Sequence, residues 1–111
     1  MAEILKLSEM TNGWFIGDFA PTCHRTVAFE TACKKYLKGD QEAAHMHKIA
    51  TEITLIAQGR ARMGYHILET GNIIIVKPCE IFDFEALEDT LTFVIKTPSV
   101  LGDKYPISKS S

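Results

Sequence analysis

Short segments of β-forming residues, separated by turn residues, run along nearly the whole chain and limit its fold more than any other feature. No window of about 12 residues keeps an apolar stripe at helical spacing while staying free of Gly, Pro and β-branched residues. Turn chemistry such as Gly39-Asp40 and Gly71-Asn72 separates most of the segments. Many short strands without intervening helices predict an all-β sandwich or barrel. The predicted strands cover residues 4–7, 13–19, 27–38, 44–50, 52–58, 60–69, 73–77, 81–86 and 91–97.

The length and composition suit one folded domain. A chain of 111 residues is long enough to bury one core, and its 46% apolar and 23% charged residues are near the globular average. We therefore expect a single domain over residues 1–111, with a weakly ordered polar tail, LGDKYPISKSS, at its end. The formal net charge of −2 offers a polyanion no long-range attraction, so nucleic acid is not an expected partner.

The cysteines and the distribution of apolar residues bear on the cellular setting. Cys23, Cys33 and Cys79 are odd in number and form no Cys-x-x-Cys pair, which argues against a disulfide framework and a zinc ribbon. The first ten residues lack the basic and apolar parts of a signal peptide, and nowhere do about 20 apolar residues run together. We expect a cytoplasmic protein without a membrane segment.

One segment, GDQEAAHMHKIATEITLIAQG at residues 39–59, contains a candidate metal site. On a strand, His45 and His47 point to the same face, with Cα atoms roughly 7 Å apart. Glu52 follows a short connection, and an antiparallel next strand would turn its carboxylate to the same side. Two imidazoles and one carboxylate suit divalent Fe, Mn, Co, Ni or Zn and leave coordination positions open. The alternative is that both histidines are ordinary strand residues.

Other polar residues are assigned to structure or solvent. Arg60 and Arg62 share one face of their strand, so Ala61 and Met63 on the other face should point inward. Asp83 is turned away from the interior by strand alternation unless a bulge intervenes. His24 and His66 are expected to be strand-end or surface residues.

The spacing of five residues resembles the first motif of the cupin superfamily. These residues are Gly39, His45, His47, Glu52 and Gly59. Five positions at matching intervals over residues 39–59 make this a strong resemblance.

A second cupin motif reads approximately Gly-x5-Pro-x-Gly-x2-His and is matched only in part over residues 71–82. Gly71 agrees, whereas Lys77 replaces the Pro and Cys79 replaces the second Gly. Phe82 stands where the resemblance places a fourth metal ligand, a histidine. One of the usual four ligands is therefore missing.

The resemblance covers about residues 27–97 and implies a double-stranded β-helix, or jelly-roll, barrel with the His/Glu cluster inside. It implies one divalent metal ion on His45, His47 and Glu52, and a small-molecule pocket next to it. We expect this pocket to be lined by Phe82, Met63, Ile56 and Thr54.

Three functional hypotheses follow from the resemblance. The first is a metal-dependent enzyme of the dioxygenase, isomerase or decarboxylase class. The second is a non-enzymatic module, a sensor or structural subunit that binds a small ligand or a metal. The third is a metal-free epimerase with a histidine base and a tyrosine acid, Tyr36 or Tyr65, although the expected extra length and basic residues are not evident. Whether the protein is an enzyme stays open at this point.

Two segments are apolar on both faces, EITLIAQ at residues 52–58 and IIIVK at residues 73–77. Such strands are typically covered on both sides. One face should pack on the core, and a second copy of the chain is the simplest cover for the other. The sequence therefore predicts a homodimer.

Overall fold

The computed structural model describes residues 1–107, and these consist almost entirely of β-structure. They contain one short 3-10 helix, Leu7–Glu9, and ten strands. The strands are β1 (Trp14–Ile16), β2 (Glu30–Tyr36), β3 (Gln41–Met46), β4 (Thr51–Gln58), β5 (Arg60–Met63), β6 (His66–Glu69), β7 (Ile73–Val76), β8 (Phe82–Ala86), β9 (Thr90–Thr97) and β10 (Tyr105–Pro106).

The strands form two antiparallel five-stranded sheets. The first sheet has the order β1-β2-β9-β4-β7, and the second has the order β10-β3-β8-β5-β6. Consecutive strands often lie in different sheets, so the chain winds back and forth between them, as in a jelly roll. The predicted all-β, double-stranded β-helix fold is confirmed. No helix within residues 1–107 is long and apolar enough to cross a membrane.

The predicted strand over residues 4–7 is wrong. These residues have no strand partner and end in the 3-10 turn Leu7–Glu9. Ile4 is 93% exposed, so the local β propensity of this segment is not supported by packing. An extended segment without a partner strand forms no ladder of backbone hydrogen bonds, and local sequence does not show whether such a partner exists.

The segment 60–69 forms a hairpin, β5 and β6, and not one strand. Gly64 lies at the turn with a φ of +58°, a conformation that glycine adopts without strain. Other predicted strands are shorter than expected, notably 27–38, of which only Glu30–Tyr36 is a strand. The strand predicted over 44–50 begins earlier, at Gln41, and ends at Met46.

The apolar core fills the part of the sandwich between β4, β5, β6 and β8. Ile56 and Ala61 are fully buried there, and Ala61 and Met63 point inward while Arg60 and Arg62 face outward, as predicted. Gly59 joins β4 to β5 at a φ of +97°, where a Cβ would overlap the carbonyl oxygen of Asp89. The buried core cluster consists of Ile56, Ala61, Met63, Leu68, Val76, Phe84 and Ala86.

The interior becomes polar towards the ends of β2, β4 and β9 that are remote from this core. Glu30 is paired with Lys96, and Lys96 with Glu52, in one row across β2, β9 and β4. Four residues further along β4, which is two rows when only the inward-facing rows are counted, Ile56 is paired with Thr92. The same strands therefore present charged residues at one end and apolar residues at the other.

Candidate metal centre

A cluster of two histidines and one glutamate lies between the two sheets. His45 is on β3, His47 directly follows that strand, and Glu52 is on β4 of the opposite sheet. One potential ligand atom from each of the three lies within 4.8 Å of the others. The two imidazole rings are 5.2 Å apart between centroids and nearly perpendicular, at 73°.

Glu52 reaches the histidines by a route that differs from the one expected. The sequence prediction placed it on a strand paired with the histidine strand, but β3 and β4 belong to different sheets. Residues 48–50 cross from one sheet to the other, and Glu52 then points inward from the facing side. The cluster is therefore formed across the sandwich and not along one sheet.

Backbone carbonyl groups select the tautomer of each histidine. The Nδ1 atom of His45 donates to the carbonyl oxygen of Ala43 at 3.0 Å, and Nδ1 of His47 donates to the carbonyl oxygen of Asp103. A carbonyl can only accept, so each Nδ1 carries the proton. This leaves Nε2 of both rings as the atom that can bind a metal.

A proton lies between His47 and Glu52 in this arrangement. Nε2 of His47 donates to Oε2 of Glu52 at 3.0 Å, which makes the ring an imidazolium because Nδ1 is also protonated. The hydrogen bond to Glu52 is the main reason why the pKa of His47 is raised. Burial alone would raise the pKa of Glu52, but the hydrogen bond and charge of His47 outweigh it and lower that pKa. A divalent cation would replace this proton.

His45 differs from His47 in its protonation. Burial lowers the pKa of His45 and outweighs the hydrogen bond to Ala43, so its ring is neutral at pH 7. A neutral imidazole with a free Nε2 is the form that binds metals. Together with the carboxylate of Glu52, the residues present fit a three-donor site for a divalent cation.

Two cavities adjoin the cluster, and His45 and Glu52 border both. The inner one, about 30 Å³, has room for a water molecule and little more. The outer one, about 310 Å³, is large enough for a small organic molecule. The outer cavity is lined by apolar side chains, among them Trp14, Phe19 and Leu101, and by the charged residues Lys34, Lys96, Glu30 and Glu42.

Three of the four predicted pocket residues line the inner cavity, namely Phe82, Met63 and Thr54. Ile56 instead lies in the packed core, two rows beyond the row of Glu52. Phe82 is directly opposite His45 in the β3–β8 ladder, which is the position expected for a residue that replaces a ligand. The hydroxyl oxygen of Thr92, also on the inner cavity, is buried without a hydrogen-bond partner among the described residues.

Glu42 is a site residue that sequence reasoning missed. It is three residues before His45, so strict alternation would place the two on opposite faces. The pairing of β3 with β8 shifts register between Glu42 and His45, and this bulge brings both to the interior. Tyr36 donates to Oε1 of Glu42 at 2.6 Å, and Nζ of Lys34 lies 3.7 Å from the same atom. Burial first, and then Glu42, raise the pKa of Tyr36, so its hydroxyl stays protonated.

Lys34, Lys96, Trp14 and Asp103 were also missed. Nζ of each lysine lies 5.1 Å from the centre of the Trp14 ring, and Lys96 is paired with Glu30 at 3.1 Å. Lys34, Lys96 and Trp14 lie on three different strands, β2, β9 and β1, so no local spacing links them. Asp103 belongs to the tail, residues 101–111, that was predicted to be weakly ordered, yet it is only 3% exposed and β10 pairs with β3. The last four residues of this tail, 108–111, lie outside the described residues.

The remaining polar residues behave as predicted. His24 and His66 are exposed. Asp83 is occupied by an ion pair with Arg62, at 2.9 Å between Oδ1 and Nη1. Cys79 is an exposed free cysteine in a turn, with a φ of +69°.

Comparison with known proteins defines the fold. No family model and no curated protein matches the sequence. The chain is similar to an uncharacterized conserved protein with a double-stranded β-helix domain from Klebsiella pneumoniae subsp. pneumoniae, with 19% identity and a TM-score of 0.67 over 76% of this chain and 74% of that chain. It is also similar to KdgF from Halomonas sp., with 21% identity and a TM-score of 0.62 over 68% and 74% of the two chains. A cupin-2 domain containing protein from Shewanella frigidimarina matches with 13% identity and a TM-score of 0.58 over 65% and 72%. The chain has the fold of a small cupin domain.

Enzymes are among the structures with this fold that match. They include a sugar phosphate isomerase from Silicibacter pomeroyi, at 15% identity and 52% coverage of that chain. They also include salicylate 1,2-dioxygenase from Pseudoaminobacter salicylatoxidans, at 13% identity and 22% coverage of that chain, and one structure of this dioxygenase is a complex with gentisate. At these identities the likeness concerns the fold, and function has to be argued from the site.

Proposed function

We propose that this protein, as one cupin domain over residues 1–111, binds one divalent metal ion through His45, His47 and Glu52 and a small molecule in the adjoining cavity. The observation that supports this most is the preset tautomer of both histidines. Each Nδ1 is engaged by a backbone carbonyl, so Nε2 is the donor atom of both rings: that of His45 is free, and that of His47 becomes available when the cation displaces the proton shared with Glu52. Fe, Mn, Ni, Co and Zn all suit two imidazoles and one carboxylate.

The chemistry of such a site depends on its open coordination positions. A cation held by His45, His47 and Glu52 would supply Lewis-acid polarisation, or redox chemistry if it were Fe or Mn. Phe82 has no donor atom, so it would add no ligand to these three. The dioxygenase and isomerase among the similar folds are compatible with this type of centre.

The chain's own residues would hold and orient the small molecule. Lys34 and Lys96 flank the Trp14 ring in the outer cavity and can donate hydrogen bonds to an oxygen of the ligand. Apolar contacts from Phe19 and Leu101 would cover the other side of the ligand and keep water away from the cation.

A non-enzymatic binding protein is the second candidate. It is favoured by the pairing of the polar side chains around the cluster. Tyr36 donates its only hydroxyl proton to Glu42, and Lys96 is ion-paired with Glu30, so both groups are already engaged by carboxylates of the protein. In this case the cation and the small molecule would be bound without turnover.

Elemental analysis of protein purified without an affinity tag tests the metal site. We expect close to one divalent metal per chain in the wild type and a sharp loss in His45→Ala. Wild-type protein that stays metal-free after incubation with each of the five cations would refute the proposal. Oxygen uptake or product formation by the metal-loaded protein, with small carboxylates and sugar phosphates as trial substrates, separates the enzyme from the binding protein.

We also propose that the protein is a homodimer through the outer face of the first sheet. Six apolar side chains form two adjacent rows there, in register across β7, β4 and β9. Ile73 and Ile75 are 62% and 57% exposed, which is unusual for neighbouring isoleucines. In a two-fold dimer the same patch of each subunit meets its copy, and an apolar face brings no like charges together there. The rows are Ile75, Ile53 and Ile95, and Ile73, Leu55 and Phe93.

Light scattering after size exclusion tests the dimer. We expect Ile75→Lys to convert it to a monomer, because a charge would be buried in the apolar interface. Ile67→Lys is the matched control, since Ile67 is 48% exposed on β6 of the other sheet. A monomeric wild type, or equal effects of the two variants, would contradict the proposed interface.

A reducing, cytoplasmic setting fits the proposal. Cys23, Cys33 and Cys79 are all free, and Cys23 and Cys79 are exposed. Free exposed thiols persist in reducing compartments. Cell fractionation tests this assignment. We expect the protein in the cytoplasmic fraction, and its recovery from another fraction would contradict the assignment.

A further inference from the structure

The segment 99–107, named here the C-terminal clamp, runs back across the polar end of the sandwich after β9. Its strand β10 pairs with β3, with Tyr105 opposite Met46 and Pro106 opposite His45. The backbone N–H of Ile107 donates to the carbonyl oxygen of Ala44 at 3.1 Å. The clamp is therefore attached directly to the strand on which His45 lies.

Asp103 is the buried centre of the clamp. Its carboxylate accepts hydrogen bonds from three consecutive backbone N–H groups, those of Lys48 at 2.8 Å, Ile49 at 3.2 Å and Ala50 at 2.9 Å. These three residues form the connection that crosses from His47 to the strand of Glu52. Because backbone N–H groups in such a crossing have no ladder partner, the carboxylate supplies the acceptors that they need.

The same residue also holds a ligand side chain. The carbonyl oxygen of Asp103 accepts the Nδ1 proton of His47. The backbone carbonyl of Asp103 thus fixes the ring of His47. Its side-chain carboxylate fixes the course of the chain from His47 to Glu52. Its carboxylate and its carbonyl oxygen are directed at this connection and this ring, whereas its backbone N–H donates to the carbonyl oxygen of Val100 within the clamp.

We propose that Asp103 is the positioning residue of the metal centre, so that cation affinity depends on a side chain that does not touch the cation. This inference rests on the proposed metal site. His47 directly follows β3, Glu52 lies on β4 of the opposite sheet, and the crossing at residues 48–50 links the two along the chain. When the crossing loses its acceptors, the two donors no longer have one fixed separation, and part of the binding energy is used to order them. Residues that orient metal ligands typically change affinity by about 10- to 100-fold.

Titration with Co²⁺ tests the inference, because the visible spectrum of bound Co²⁺ reports both affinity and coordination geometry. We expect Asp103→Asn to weaken Co²⁺ binding by about 10- to 100-fold and to alter the spectrum, because one oxygen acceptor becomes an N–H donor facing backbone N–H groups. Asp89→Asn is the matched control. Asp89 also accepts from a backbone N–H, that of Lys38 at 2.9 Å, but it lies outside the residues that border the two cavities. This control should keep wild-type affinity and spectrum.

The outcomes separate the inference from the metal site itself. Wild-type affinity and spectrum in folded Asp103→Asn would overturn the positioning role while leaving the metal site intact. If the wild type binds no Co²⁺, or binds it in a way that His45→Ala does not affect, both the positioning role and the metal site are overturned. If Asp103→Asn does not fold, Asp103→Glu keeps the charge and displaces the carboxylate by one methylene group. Its folded protein should bind Co²⁺ more weakly than Asp89→Asn, and equal binding would overturn the inference.

Discussion

The two ends of the sandwich interior are formed by the same strands but differ in polarity: one is an apolar core, and the other is the candidate metal site. On β4, Ile56 is fully buried among apolar side chains, whereas Glu52, four residues earlier, faces His47 across the interior. On β9, Thr92 is opposite Ile56 and Lys96 is opposite Glu52. The core end gains free energy from buried apolar surface. At the site end, each buried charge is offset by a partner, which makes this end a poor source of stability and a suitable place for chemistry.

The largest effect on stability is expected at the core end. Ile56→Ala removes a fully buried side chain and leaves a cavity, so the free energy of unfolding should fall by about 2–5 kcal/mol. The folded fraction should keep its metal affinity, because the change lies two rows from Glu52. Urea denaturation of the metal-free protein measures the first quantity and metal titration the second. A stability loss below about 1 kcal/mol would contradict the claim that the core end of the interior is the main source of stability.

Phe82→His should change the site end in the opposite direction and add a donor. Because Phe82 is directly opposite His45, a histidine there can provide a fourth ligand, and metal binding should tighten at least about tenfold, or about 1.4 kcal/mol. Phe82→Leu is the control without a donor and should keep wild-type affinity. Equal affinities for the two variants would show that this position does not face the cation.

Metal binding should depend on pH through His47. The pKa of His47 is raised above its ordinary value of 6.5 by the hydrogen bond to Glu52. In the metal-free protein this pair stabilises the fold fully below about pH 6.5, and the contribution is lost as pH rises through the raised pKa. The cation competes with the same proton. The free energy by which metal stabilises the fold should therefore increase as pH rises through the raised pKa of His47. Below this pKa it should decrease by about 1.4 kcal/mol for each unit by which the pH is lowered.

Thermal unfolding with and without metal between pH 5 and 8 measures this difference. The metal-induced shift of the midpoint temperature should increase with pH. In His47→Gln the shift should be small at every pH, since this variant lacks both the competing proton and one of the three ligands. A shift independent of pH in the wild type would contradict displacement of the His47 proton.

The smallest effect is expected on the outer face of the second sheet. Arg62 is partly exposed and pairs with Asp83 at 2.9 Å and Glu85 at 3.6 Å. Solvent screens such pairs, so Arg62→Met should lower the free energy of unfolding much less than Ile56→Ala does and leave metal affinity unchanged. A loss in urea denaturation as large as that of Ile56→Ala would mean that this network contributes to stability as the core does.

Much of this contrast could be predicted from the sequence, because strand alternation and the spacing of His45, His47 and Glu52 are local properties. The inward positions of Ala61 and Met63 followed from alternation alone. Glu42 could not be found in this way, since a bulge places it on the face that alternation excludes. Asp103 lies 56 residues from His47, and no local pattern reports a hydrogen bond across such a distance.

The segments that were mispredicted share one physical cause. Residues 4–7 have the composition of a strand but no partner strand, and residues 60–69 have strand composition on both sides of a turn at Gly64. Strand propensity describes a side chain's fit to a sheet surface, while the partner is supplied by tertiary structure. Glu52 lies beside the two histidines although the assumed pairing of β3 with β4 was wrong, because an inward residue on the facing sheet reaches the same interior.

A double-mutant cycle on metal affinity tests the central claim, that His45, His47 and Glu52 form one coordination sphere. Titration of the wild type, His45→Ala, His47→Ala and the double variant with Co²⁺ gives four dissociation constants. We expect a large loss in each single variant and little further loss in the double variant, because residues that act as a unit are not additive. Wild-type affinity in all three variants would mean that His45 and His47 are ordinary structural residues and that the protein has the cupin fold without its metal ion.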